Sequence, residues 1–258
     1  MKKPQWVVEK ERARRLSKSQ TVWLFGLHAV ADALKNPARD KLRLVITRNA
    51  ADRIADAIAA SDLTPEIVDA RKFPDLIDPA SVHQGAVLEV RPLNWGPLSE
   101  LAVGRPNERP LIVLLDRVSD PHNVGAILRS AEVFGALAVG APERFSAPET
   151  GALAKTASGA LERQPYVRVR NLSAAMEELK AMGYTLIGLD GDASGDLASA
   201  LPPGDAPVGL VLGAEGPGLR EKTRQTCDSL ARIPAAGEFG SLNVSNAAAV
   251  SLYAVRTQ

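Results

Sequence analysis

Residues 111–134 read LIVLLDRVSDPHNVGAILRSAEVF. Leu111 to Leu115 are five consecutive aliphatic residues, which suits a strand covered on both faces, since a half-exposed strand alternates apolar with polar positions. From Asn123 to Phe134 the period changes. Val124, Ile127, Leu128, Ala131 and Phe134 fall on one helical face, and Arg129 projects away from it. A buried strand that passes through Asp-Pro-His-Asn into an amphipathic helix is the repeating unit of a parallel sheet.

The same alternation continues downstream. Ala136–Val139, Tyr166–Val169, Thr185–Leu189 and Val208–Leu212 read as strands, and Ala152–Leu161, Leu172–Met182, Leu219–Cys227 and Asn243–Val255 as helices. The predicted class is therefore α/β, with a mostly parallel sheet covered on both sides. Asp190 to Pro207, with three prolines and three glycines, reads as an exposed connection. Upstream, Phe25–Leu34 reads as a strand end or turn followed by a helix, Leu42–Thr47 and Gly85–Val90 as strands, and Ala51–Ala60 as a helix. Prolines at 92, 97, 106 and 110 and glycines at 96 and 104 deny the stretch between the two regions a continuous element. The expected organisation is a basic arm over 1–18, a small α/β domain over 19–91, a linker over 92–106 and the larger domain over 107–258.

Of the 258 residues, 45% are hydrophobic and 24% charged, enough to bury a core. No run approaches the roughly 18 apolar residues that cross a bilayer. Cys227 has no partner for a disulfide, and His28, His83 and His122 do not approach zinc-ligand spacing. A cytoplasmic, metal-free protein is expected. The overall charge of +1 is uneven. Residues 1–18 hold Lys2, Lys3, Lys10, Arg12, Arg14, Arg15 and Lys18 against Glu9 and Glu11, a net +5, which leaves −4 on the remainder. Such an arm can grip phosphates or serve as a solubilising tail, and charge alone does not choose.

Ligands bind outside the carboxyl ends of strands in α/β sheets. Three segments occupy such positions. In Asp116–Ser130, Asn123 stands where a helix cap is expected and Arg129 on a polar face. In Val211–Leu219 (VLGAEGPGL), three glycines surround Glu215, so the main chain can approach a small molecule closely. That spacing is neither a dinucleotide fingerprint nor a P-loop. In Ile233–Val255, Gly237, Gly240, Ser241, Leu242 and Asn243 precede a helix rich in alanine, whose Ala247, Ala248, Ala249 and Ala254 suit close packing. Read one by one, these residues serve equally as helix caps, tight turns and solvated surface.

In order, N-V-G-A-I-x-R-S, L-G-x-E-G-x-G-L and I-P-x-x-G-x-x-x-S-L-N-V-S resemble the signatures of the SpoU-TrmH family of RNA 2′-O-ribose methyltransferases, within the SPOUT superfamily. The likeness covers Pro106–Gln258. A weaker one, in FGLHAVADAL and His83-Gln84-Gly85, extends to the family's N-terminal substrate-binding domain and is most similar to the branch acting on guanosine of 23S rRNA. The resemblance implies S-adenosylmethionine as donor, a deep trefoil knot, a homodimer packed through the knot region, and RNA as partner. It places Asn123, Arg129, Glu215, Ser241 and Asn243 on the family's catalytic and structural polar positions. It assigns Leu212, Gly213, Gly216, Ile233, Leu242 and Asn243 to the cofactor. Asn246 departs from the pattern, where small apolar residues are usual.

Methyl transfer from a sulfonium to a hydroxyl is an in-line displacement in which charge separation falls, so the protein must align the partners and help the 2′-hydroxyl act as nucleophile. A guanidinium is not deprotonated in proteins, so Arg129 is expected to stabilise the developing oxyanion or hold the adjacent phosphate. Alternatives are a tRNA ribose methyltransferase of the same family and a non-catalytic RNA-binding module on the same fold.

Overall fold

A computed structural model describes residues 21–73, 76–78, 81–104, 108–237 and 241–258. The basic arm over 1–18 lies outside the described residues. The described residues form two compact units, the first running up to Leu93 with Glu149–Gly151, the second Asn94–Pro148 with Ala152–Gln258.

The first unit is built on a four-stranded sheet of β1 (Val22–Phe25), β2 (Lys41–Thr47), β3 (Glu66–Val68) and β4 (Ala86–Val90), in the order β1-β4-β2-β3. β4 runs antiparallel to both β1 and β2, and β3 pairs with β2 in parallel. Helix α1 (Leu27–Lys35) buries Leu27, Ala29, Val30, Ala33 and Leu34, the spacing expected of one helical face. The helix predicted over 51–60 starts earlier and is broken. Thr47 accepts the N–H of Ala50 to cap α2 (Arg48–Arg53), Ile54 leaves helical geometry at φ −121°, and α3 (Ala55–Ala59) follows. Gln84 (φ +55°) ties the unit together by accepting the N–H of Leu27 at 3.0 Å.

The second unit holds seven strands, all parallel, in the order β7-β6-β5-β10-β8-β11-β9. They are β5 (Leu111–Asp116), β6 (Ala138–Pro142), β7 (Tyr166–Val169), β8 (Thr185–Leu189), β9 (Gly195–Asp196), β10 (Val208–Gly213) and β11 (Ser229–Arg232). Leu111 through Leu115 are all fully buried, which is why β5 does not alternate. On one side Ile112, Leu114, Leu186 and Val211 pack with α4 (Leu98–Leu101) and with Leu172, Met176 and Leu179 of α7 (Leu172–Ala181). The other helices that matter here are α5 (Pro121–Val133), α6 (Gly151–Ala157), α8 (Leu197–Ala200), α9 (Glu221–Thr226) and α10 (Val244–Thr257). α5 packs along α10, which also meets β10.

Two stretches differ from the sequence-based expectation. Leu98 and Ala102, inside the proline-rich stretch read as a linker, are core residues of the second unit. The connection read as exposed between Asp190 and Pro207 adds β9 to the sheet edge and buries Leu197 of α8. Both elements are too short for hydrophobic periodicity to reveal.

Candidate functional site

β5, β8, β10 and β11 end side by side, and the segments leaving β8, β10 and β11 wall a cavity of about 700 Å³. Its apolar lining includes Leu189, Leu212, Ile233, Leu242 and Val244, and its charged lining is Asp190, Asp192, Glu215, Arg224 and Arg232. The volume lies within the few hundred to one thousand Å³ typical of small-molecule sites.

The loop after β10 folds back on itself. The N–H of Gly218 reaches the carbonyl of Ala214 at 2.9 Å, and Gly216 and Gly218 adopt φ +83° and +67°. A Cβ on Gly213 would stand 2.2 Å from the carbonyl carbon of Gly218 and 2.4 Å from the nitrogen of Leu219, so no other residue fits there without moving main chain. This turn carries Glu215 to the cavity wall.

Asn123 is 8% exposed and is not the helix cap. That position belongs to Asp120, whose carboxylate accepts the N–H of His122 at 2.9 Å, with Pro121 opening the helix. α5 therefore begins two residues before Asn123, which frees its amide to point at the neighbouring loops. Its Nδ2 donates to Glu215 Oε1 at 3.1 Å. Asn243 is a cap: its Oδ1 accepts the N–H of Ser245 at 2.9 Å, while its Nδ2 donates to Asn123 Oδ1 at 3.0 Å and to Glu215 Oε1 at 2.5 Å. A helix residue, a loop residue and a helix cap thus close a triangle, with the carboxylate receiving two amide donors.

The predicted residues do not all meet there. Glu215, Ser241 and Asn243, together with Leu212, Gly213, Gly216, Ile233 and Leu242, line the cavity, and Asn123 joins it through the triangle. Arg129 does not line it. That residue is exposed on α5, and no described residue forms a hydrogen bond or ion pair with its side chain. Asn246 is exposed on α10, so it leaves the packing of that helix to Ala248, Ser251, Leu252 and Val255.

Two pairs escaped the sequence reading. Asp116, wholly buried at the end of β5, accepts the N–H of Arg220 at 2.9 Å and its Nε at 2.7 Å, which anchors the end of the glycine loop to the neighbouring strand. Arg224 is paired with Asp190 at the cavity wall. The available signal was a carboxylate closing an uncharged, mainly aliphatic strand, Asp116 after LIVLL and Asp190 after TLIGL.

Residues 110–253 match the SpoU rRNA Methylase family, and residues 23–96 match the family described as RNA 2′-O ribose methyltransferase substrate binding. The 23S rRNA (guanosine-2′-O-)-methyltransferase RlmB of Photobacterium profundum is 40% identical over 239 residues, spanning 89% of this chain and 95% of that protein. The RlmB of Ralstonia nicotianae is 41% identical over 243 residues, 91% and 95% of the two chains. Among solved structures, AdoMet-bound rRNA methyltransferase from Sinorhizobium meliloti superposes with a TM-score of 0.77 at 25% identity, over 98% of this chain and 95% of that one. The SpoU methyltransferase AviRb from Streptomyces viridochromogenes, in complex with AdoMet, gives 0.75 at 25% identity, over 96% and 93%. With the parallel sheet, the glycine loop and the triangle of Asn123, Glu215 and Asn243 in place, these matches make the chain a member of the SpoU rRNA methylase family.

Proposed function

We propose that this protein transfers the methyl group of S-adenosylmethionine to the 2′-hydroxyl of a guanosine in 23S rRNA. The observation that carries the reading is the cavity at the strand ends, walled by the glycine loop and closed by the triangle of Asn123, Glu215 and Asn243. The matches to the RlmB relatives, over 89% and 91% of this chain, support the substrate class.

The cavity suits the cofactor chemically. Leu189, Leu212, Ile233 and Leu242 offer apolar surface for a purine, main-chain groups of the 213–218 turn are within approach, and Asp190, Arg224 and Arg232 can meet a zwitterionic tail. Bound there, S-adenosylmethionine supplies an electrophilic methyl group. Glu215 stiffens the turn against which the cofactor would rest. Asn123 and Asn243 hold Glu215 and, through Asn243, fix the start of α10. Ser241 sits at the rim, where its hydroxyl can contact the target nucleotide. Arg129 supplies the positive charge that favours the developing oxyanion or grips the neighbouring phosphate.

A homodimer belongs to the same proposal. Val133 of α5 is 72% exposed, and Val250 and Tyr253 of α10 are 44% and 58% exposed, an apolar face on two helices that pack together. Arg129 is four residues from Val133 and shares its helical face. An assembly on that face would put Arg129 at the subunit boundary, which accounts for its absence from the cavity of its own chain. The trefoil knot is also part of this reading, since the segments that would tie it are the two that flank the cavity. A 23S rRNA substrate sets the work in the cytoplasm.

The test is transfer of radiolabelled methyl from S-adenosylmethionine to 23S rRNA and, in a parallel reaction, to tRNA, followed by nucleoside analysis. The expected product is 2′-O-methylguanosine; label on a base, on tRNA alone or on neither RNA would overturn the assignment.

A further inference from the structure

β5, β6 and β7 end at one edge of the sheet, and the residues that follow them place Arg117, then Arg144 and Phe145, then Arg170 along that edge. All four are exposed, Phe145 by 68%. The guanidinium of Arg117 lies 4.9 Å from the centroid of the Phe145 ring. Both residues adopt φ +64°, a region that side chains of this size enter only when their surroundings force them to.

The surroundings do so at unusual density. Arg168 donates to the carbonyls of Pro142, Glu143, Ser146 and Ala147, at 3.1, 2.5, 3.3 and 2.8 Å. The hydroxyl of Tyr166 donates to Ala147 O at 2.7 Å, and the N–H groups of Glu143 and Ala147 donate to Val169 O and Val118 O at 2.9 and 3.2 Å. Loop tips are ordinarily the least constrained parts of a fold. Here the constraint serves to hold an apolar ring out in solvent. None of this is used by the cavity or by the amide triangle.

We propose that Phe145, flanked by Arg117, Arg144 and Arg170, is a stacking platform for a base adjacent to the nucleotide whose ribose is methylated. The proposal rests on the RNA-methylating reading above. With one face of the ring beside Arg117, the other is open to a base, and aromatic rings accept any base on the π face. Neighbouring strands are about 4.8 Å apart, and β6 is two strands from β10, so the strand end from which the Phe145 loop leaves lies about 10 Å along the edge from the end of β10. A strand laid along the edge meets the cavity first, then Arg117, Phe145 and Arg170. Glu143 is the only carboxylate within residues 143–148, so the tip is net cationic with Arg144 and Arg117 beside it.

The test uses the full-length protein and a single-stranded guanosine-containing oligoribonucleotide with 2-aminopurine next to the guanosine. Binding is read by fluorescence, so stacking is measured whether or not methyl is transferred. Methyl transfer by the wild type on 23S rRNA, run in parallel, separately tests the functional reading. Wild type should quench the fluorophore. Phe145→Ala should lose the quenching and raise KM for RNA about tenfold, with a much smaller change in kcat and no change in S-adenosylmethionine affinity. Phe145→Trp should restore both signals. Arg144→Ala and Arg170→Ala should each lower the slope of log affinity against log salt by about 0.7, which Phe145→Ala should not. Unaltered quenching and KM in Phe145→Ala would overturn the proposal.

Discussion

The side-chain amide of Asn123 donates to the carboxylate of Glu215 at 3.1 Å, joining positions 92 residues apart in the chain. Through this bond the first turn of α5 steadies the glycine loop, and Asn243 closes the figure from the start of α10.

Removing the carboxylate should therefore loosen the wall of the cavity. Hydrogen bonds to a charged group contribute about 1.5–3 kcal/mol each. Glu215→Ala is expected to weaken S-adenosylmethionine binding at least tenfold by calorimetry. Asn123→Ala should do so less, because Asn243 still reaches Glu215. In the double variant the two effects should not add, since both remove the same bond.

Arg129 lies outside the cavity, so its loss should spare the cofactor. Arg129→Ala should keep S-adenosylmethionine affinity within about twofold while single-turnover methylation falls a hundredfold or more, in line with the roughly 2.7–4 kcal/mol carried by one preorganised charge-stabilising donor. Mixing this variant with a Glu215→Ala partner should restore part of the activity if Arg129 works across a subunit boundary. No restoration would return it to its own chain.

At Gly213 the turn leaves no room for a methyl group. Gly213→Ala must push the main chain at Gly218 and Leu219. Cofactor affinity should fall sharply, while a circular dichroism spectrum still shows a folded chain. An unchanged affinity would mean that the turn does not bear on the cofactor.

Alkaline pH should erode stability in a defined window. Burial pushes the Cys227 thiol from its ordinary 9.0 up to about 12, with Asp228 adding to the shift, and burial pushes the Tyr184 phenol from 10.0 up to about 12. Both groups are neutral below their ordinary values, so their contribution is intact there. Above pH 9 the unfolded chain releases protons that the folded chain retains, and the folded state loses ground as pH climbs toward 12. Urea midpoints measured from pH 8 to 11 should fall, and Cys227→Ala should remove the part of the decline that begins near pH 9.

The longer elements were legible because their signal is local. Ala131, Val124, Ile127 and Leu128 are fully buried on α5, as their spacing requires, and β5 carries its five aliphatic residues at zero exposure. β3, β9, α4 and α8 have two to four residues each and offer no period to read. The site was legible only as types of residue. Asp120-Pro121 is a local helix-start signal that moves the cap ahead of Asn123, but that the freed amide meets Glu215, 92 residues away, is written in no local window.

Sequence alone settled the class of fold and offered some of the polar residues, since hydrophobic period, turn glycines and the three spaced signatures are all written within short windows, whereas Asp116 and Asp190 and their arginine partners were not picked out. Tertiary structure decided which of those residues meet. The sheet places β5 beside β10 although 91 residues separate their nearest ends, and that adjacency brings Asn123, Glu215 and Asn243 within hydrogen-bond distance. It left Arg129 on an outer face and set Phe145 out at the sheet edge, because main-chain pairing between distant strands, not local pattern, fixes where each loop emerges.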